Sequence, residues 1–264
     1  MAGAQVGPWY APNITSDPAS GIGSWSQAAL VQYLRTGSLP GKAQAAGSMG
    51  EAVEHSFSRL SVQDLEAIAT YVRTVPAIHD PSDDTSRFDY GKASSELGTL
   101  RGRNAIRSNA DGPPTGAALF QGNCASCHAP LGQGSKDGYY PSLFHNSASG
   151  SANANNLIAT ILNGVERTTP TGQAYMPGFG GKPNDLNALG DADIARLANY
   201  VIEHYGRVGR AVSPSDVAVV RQGGPSSSLV LLARIGIAIA VVALLALVAG
   251  LALGMRQRGR AVRT

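Results

Sequence analysis

The two cysteines of the chain stand together in Cys124-Ala125-Ser126-Cys127-His128. Two thiols three positions apart, followed at once by an imidazole, form the C-x-x-C-H pattern through which c-type haem is attached. Each thiol can form a thioether to a porphyrin vinyl group, and the adjoining imidazole can become the proximal iron ligand. One covalent haem c would consume both cysteines and leave no free thiol. Downstream, Met176 lies in Ala174-Tyr175-Met176-Pro177-Gly178, read as a loop bounded by Pro and Gly. Its thioether can close the distal side, so the expected cofactor-binding set is Cys124, Cys127, His128 and Met176, with His128 and Met176 on the metal. Met/His ligation raises the reduction potential and suits electron transfer rather than oxygen chemistry.

Other readings of the same residues weigh less. A thioredoxin-like pair would need a βαβ pattern nearby, and half a zinc site would need a second Cys/His pair at suitable spacing. Neither occurs in the sequence. His145 rivals Met176 as distal ligand, with His55, His79 and His204 behind it. Pro141, in Tyr139-Tyr140-Pro141-Ser142-Leu143, offers a backbone carbonyl for the free nitrogen of His128.

The elements that must position these groups are helical. Ser24 and Gln27 form a capping-box pattern before Leu30, Val31 and Leu34, with Gly37 as stop. Ser61 opens a second helix whose Leu65, Ile68 and Val72 share a face before Pro76. Leu157, Ile158 and Ile161 precede Gly164. Asp191 opens a last helix with Ile194, Leu197 and Val201 on one face and Gly206 as stop. Gly116-x-x-x-Phe120 sits on a short helix entering the C-x-x-C-H motif and allows close approach to the terminal helix near Leu197–Tyr200.

These groups repeat. Leu30, Val31, Leu34, Gly37 and Met49 correspond, 127 positions on, to Leu157, Ile158, Ile161, Gly164 and Met176. Asp64-Leu65, Ile68-Ala69 and Tyr71-Val72 match Asp193-Ile194, Leu197-Ala198 and Tyr200-Val201 with two residues of slippage. Two related, mainly α units are therefore expected, with long Gly/Pro-rich loops and no convincing strand alternation. Units this small bury little apolar surface alone, so a cofactor is expected at their centres. The counterpart of Cys124 would precede Met1. That predicts a longer natural chain with a further C-x-x-C-H upstream.

The 264 residues are 43% hydrophobic and only 15% charged, with 32 Gly and 15 Pro. Global disorder is excluded by the apolar content. The net charge of +3 invites a nucleic-acid reading, but its placement rejects one. Eight arginines and one acid, Asp216, lie from Arg207 onward, whereas residues 1–206 are net acidic. No basic stripe interleaved with aromatics appears, so nucleic acid is not an expected partner.

Ile235–Gly254 runs IGIAIAVVALLALVAGLALG without a charge. At about 1.5 Å per residue it matches the roughly 30 Å of a bilayer core. Arg234 flanks one end, and Arg256, Arg258, Arg260 and Arg263 the other. This asymmetry predicts a single-pass anchor in the inner membrane, with the C-terminus cytoplasmic and the body periplasmic. Met1–Tyr10 lacks the basic and apolar regions of an export signal, so either the topology is inverted or the natural N-terminus lies upstream.

At these residues the chain resembles the multihaem cytochrome c subunit of membrane-bound bacterial alcohol, aldehyde and gluconate-type dehydrogenases. The matching stretches are Ala11-Pro12-Asn13-Ile14-Thr15-Ser16-Asp17, Gly21-Ile22-Gly23-Ser24-Trp25-Ser26 and Glu51-Ala52-Val53-Glu54-His55-Ser56. Gly138-Tyr139-Tyr140-Pro141-Ser142-Leu143, Met176-Pro177-Gly178-Phe179 and Leu197-Ala198-Asn199-Tyr200-Val201 add to them. The resemblance implies three consecutive cytochrome c domains, of which this chain holds most of the second and all of the third. It further implies that Cys124, Cys127, His128 and Met176 hold the third haem, while Met49 is the distal ligand of the second. The first domain and the second C-x-x-C-H are absent here.

The resulting expectation is a mainly α chain of tandem cytochrome c-type domains plus one C-terminal transmembrane helix. A partial domain spans 1–80, a linker 81–113, the C-x-x-C-H domain 114–206, a second linker 207–234, the transmembrane helix 235–255 and a cytoplasmic tail 256–264. The resemblance implies an electron-transfer subunit without substrate chemistry of its own. Its partners would be a dehydrogenase catalytic subunit and a ubiquinone or respiratory-chain acceptor. A terminal-oxidase haem c subunit and a haem peroxidase or oxygen-binding protein are the rival readings.

Overall fold

The computed structural model describes residues 1–94, 113–225 and 232–245. Met1–Gly224 form one compact unit and Pro225–Thr264 another. The first unit is built from short helices and small antiparallel hairpins. Strands β1 (Ala4–Val6) and β2 (Trp9–Ala11) pair first. Helix α1 (Gln27–Thr36) follows, then strands β3 (Ser38–Leu39) and β4 (Ala43–Gln44). Helix α2 (Gly47–His55), a 3-10 turn at Phe57–Arg59 and helix α3 (Val62–Thr74) complete the N-terminal half.

The C-terminal half runs through α4 (Gly116–Asn123), the single turn α5 (Ala125–His128) and α6 (Asn155–Asn163). Strands β5 (Val165–Thr169) and β6 (Gly172–Met176) then form a hairpin around Pro170 and Thr171. Helices α7 (Asp191–Tyr205) and α8 (Pro214–Arg221) end the unit.

Local chemistry sets several helix ends. The hydroxyls of Ser61 and Thr115 accept backbone N–H bonds at the starts of α3 and α4, satisfying donors that a helix start leaves open. At α1 the cap is Ser26, not the expected Ser24: its hydroxyl accepts from Ala29 N–H. Gly37 ends α1 in the left-handed region at φ 71°, a conformation that favours glycine.

The six strands among the described residues, of two to five residues each, were not legible as alternation, because segments this short carry almost no period. The longest pair holds Met176 at the end of β6, directly opposite Val165. Met176 is therefore strand-held rather than the loop residue expected. Val165, Thr168 and Thr169 supply the β-branched content that favours an extended backbone.

Two hydrophobic clusters form, one around Trp25, Leu30, Ala69 and Phe88, the other around Phe120, Ile158, Ile194 and Leu197. The anticipated apolar faces fall inward: Ile194, Leu197 and Val201 of α7 are buried. Repeat counterparts differ, however. Tyr200 packs against Phe120, whereas Tyr71 is 64% exposed.

Long-range bonds join the two halves. Asn156 on α6 accepts from Tyr10 N–H and donates to Tyr10 C=O, each at 2.8 Å. Arg207 pairs with Asp83 at 2.6 Å. Phe88, from the segment read as a polar linker, is buried beside Trp25; residues 95–112 of that segment lie outside the described residues. The second expected linker contains α8, capped reciprocally by Ser213 and Asp216 and burying Val217.

Residues 232–245 are helical with their side chains exposed. Among the described residues, no helix is long and apolar enough to cross a membrane. The expected span reaches into 246–254, and it and the tail 256–264 thus lie partly or wholly outside the described residues.

Candidate functional site

The C-x-x-C-H segment occupies a bend between two helices. Cys124 closes α4, its N–H donating to Phe120 C=O at 2.8 Å, and its own carbonyl accepts from Cys127 and His128 N–H. Both thiols and the imidazole are thus carried on one tight turn. The turn itself is anchored where α4 meets α7. Gly116 leaves no room for a side chain: a Cβ there would lie 2.5 Å from Arg196 O and 2.7 Å from Tyr200 Cβ. That close approach is the one expected from Gly116-x-x-x-Phe120.

After His128 the chain reverses sharply. Ala129 adopts φ 63° and ψ 156°, a region almost confined to glycine. The reversal lets Gly134 N–H donate to His128 C=O and returns the loop 139–143 to the imidazole. Nδ1 of His128 lies 2.9 Å from Pro141 C=O. A carbonyl only accepts, so Nδ1 carries the proton and Nε2 keeps its lone pair. Burial pushes the His128 pKa down, against the opposing pull of the Pro141 carbonyl. That direction favours the neutral imidazole, its ligating form.

Cys124, Cys127, His128 and Met176 line one cleft of about 1280 Å³, its mouth included. Its apolar walls include Leu157 and Ile161 of α6 and Leu197 and Val201 of α7. Gln44 and Ala46, from the N-terminal half, also line it. Sequence reasoning missed both, because nothing local marks contacts made across more than a hundred residues. The rim carries Tyr139, Tyr175 and Leu186, all exposed.

This donor set fits an iron porphyrin. A large apolar cleft, two thiols at one edge, an oriented neutral imidazole and a thioether on a separate hairpin are all present together. The rival histidines do not reach it: His145 is exposed, and none of His55, His79, His145 and His204 lines the cleft. His204 instead bonds to Tyr200 C=O and stacks on its ring. Met49 lies half-buried on α2 and does not line the cleft.

Burial weighs against redox chemistry at Cys124. Burial and the neighbouring Cys127 push the Cys124 thiol up to about 12. A redox-active C-x-x-C pair requires the opposite shift, since the thiolate is the nucleophile. No group of three His, Cys, Asp or Glu side chains able to hold a metal gathers among the described residues. Asn13, at the head of an N-x-T triplet, is buried and engaged by Thr15 and Ile78.

Comparison with known proteins agrees with this geometry. Residues 114–204 match the cytochrome c family model. The chain is 46% identical over 240 residues to the fructose dehydrogenase cytochrome subunit of Gluconobacter japonicus, covering 90% of this chain and 49% of that protein. It is 28% identical to the alcohol dehydrogenase (quinone) cytochrome c subunit of Gluconacetobacter polyoxogenes, over 86% of this chain and 45% of that one. Cytochrome c6 of Gracilaria tenuistipitata var. liui is 34% identical over 87 residues, 33% of this chain and 68% of the algal protein. The chain spans about half the length of the dehydrogenase subunits it matches. With a cytochrome c domain over 114–204 built around the C-x-x-C-H cleft, the chain belongs to the cytochrome c family, and haem c is its covalently bound cofactor.

Proposed function

We propose that this chain is a membrane-anchored c-type cytochrome that passes single electrons from a dehydrogenase catalytic subunit towards ubiquinone or the respiratory chain. Cys124 and Cys127 would hold the haem by thioethers, and His128 and Met176 would ligate its iron. The observation that carries this reading is the convergence of these four side chains on one cleft, with His128 Nδ1 already engaged by Pro141.

When bound, the haem supplies a one-electron couple. The chain's residues do the rest. Pro141 C=O orients the imidazole and fixes its tautomer, as a second partner does for a metal-bound histidine. Met176, which lines the same cleft, would supply a second iron ligand and so disfavour the binding of oxygen or peroxide. Leu157, Ile161, Leu197 and Val201 exclude water.

The names of the relatives support a dehydrogenase catalytic subunit as electron donor, of the sugar- or alcohol-oxidising kind. The apolar run Ile235–Gly254 and the arginines beyond it support an inner-membrane anchor with the haem-bearing body on the periplasmic side. Spectroscopy of the full-length chain tests the central point. A six-coordinate low-spin spectrum with a Met–iron band, and one haem per C-x-x-C-H by pyridine haemochrome, is expected. A high-spin form that binds CO or reacts with peroxide contradicts it.

A further inference from the structure

We infer that Arg167 is a potential-setting residue, its buried guanidinium holding a fixed positive charge beside the cleft and favouring the reduced centre. The inference rests on the ligation proposed above.

Arg167 follows Val165 on β5, and Val165 both lines the cleft and pairs directly with Met176. Alternate strand residues share a face, so Arg167 projects on the same side of the hairpin as Val165. Its side chain is 2% exposed. The guanidinium reaches into the N-terminal half, donating to Thr36 C=O at 3.1 Å, to Ala45 C=O, and to Gln44 Oε1 at 3.5 Å. Gln44 and Ala46, which flank Ala45, line the cleft. Gly37 makes room for the charge, since a Cβ there would lie 2.5 Å from Arg167 Nε.

Every group among the described residues that receives this fork is a neutral oxygen. Among the described residues, no carboxylate lies within ion-pair distance of Arg167. Glu54 on α2 and the Tyr33 hydroxyl act on it only at longer range, and burial opposes them. Guanidinium nevertheless stays protonated in proteins. A buried charge without a counter-ion is costly, and a hairpin needs none for its stability. In a low-dielectric surrounding the same charge acts strongly on its neighbours. Oxidation adds positive charge to the centre next to a fixed cation, so Arg167 disfavours the oxidised form and raises the midpoint.

Redox titration of the full-length holoprotein decides the matter. Arg167→Gln keeps hydrogen-bonding capacity and removes the charge. It is expected to raise the oxidised-to-reduced ratio at a given potential about tenfold, a midpoint lower by about 59 mV for one electron. Arg167→Lys retains the charge and is expected to hold the midpoint near that of the native protein while lowering Tm. A native midpoint in Arg167→Gln overturns the proposal, as does an equal fall in both variants, which would mark a packing role. If Arg167→Gln does not fold, Arg167→Met, which keeps an unbranched side chain and removes the charge, is expected to lower the midpoint likewise; a native midpoint there overturns the proposal. Pyridine haemochrome and the Met–iron band, recorded on each protein, report on the ligation reading separately. A native chain lacking that band contradicts the ligation, while the midpoints still decide the role of Arg167.

Discussion

Nδ1 of His128 lies 2.9 Å from the carbonyl oxygen of Pro141, and backbone bonds close the loop between them. Gly134 N–H donates to His128 C=O, Ser135 N–H to Tyr140 C=O, and Leu143 N–H to Gly132 C=O. The acceptor is thus delivered by a braced loop. It fixes which imidazole nitrogen faces the cleft.

Replacing Met176 by Ala removes the second proposed ligand. The expected result is loss of the Met–iron band, new binding of CO, and a midpoint lower by at least about 59 mV, a tenfold change in ratio. Absorption spectra and redox titration check this. A Met176→Ala protein with the native spectrum would remove Met176 from the ligand set.

Ala129 sits in a backbone region that costs about 1–3 kcal/mol for a residue with a side chain. Ala129→Gly is therefore expected to raise stability by about 1 kcal/mol, although glycine also loosens the unfolded chain. Thermal or denaturant unfolding reads the difference. A destabilised variant would show that the strain is absent.

Gly116 and Gly122 share a helix but have opposite surroundings. A Cβ at Gly116 meets Arg196 O and Tyr200 Cβ below 3.0 Å, whereas one at Gly122 meets nothing within 4 Å. Gly116→Ala is expected to cost about 1–3 kcal/mol through overpacking and Gly122→Ala to gain about 0.5–1 kcal/mol. Equal effects on Tm would reject the close α4–α7 contact.

Asp216 accepts from the backbone N–H and the hydroxyl of Ser213, and these bonds hold its carboxyl below the ordinary 3.8. A depressed folded-state value stabilises above the unfolded value and is lost as pH falls through the folded one. Native Tm is thus expected to drop below about pH 4 more steeply than that of Asp216→Asn. Parallel Tm–pH curves would show that the cap carries no pH-dependent stability.

The sequence by itself determined the chemistry and the helices that frame it. Cys124, Cys127 and His128 stand within five residues, so the pattern they form is local and legible. The buried faces of α7 and the close approach of Gly116 were likewise readable from periodicity and residue size. Met176 was legible as a position 127 residues after Met49, but not as the end of a strand, because a five-residue strand leaves no clear period.

Only the tertiary structure decided what closes over the cleft. Pro141 could be named in advance as an acceptor, yet its reach to His128 depends on the bends at Ala129 and Gly134. Gln44, Ala46 and Arg167 gave no local signal at all. Their contacts cross more than a hundred residues, and a charge buried among backbone carbonyls looks, in sequence, like any surface arginine. Periodicity reports which face of an element is apolar. It cannot report which distant element supplies the oxygens that make a buried charge tolerable.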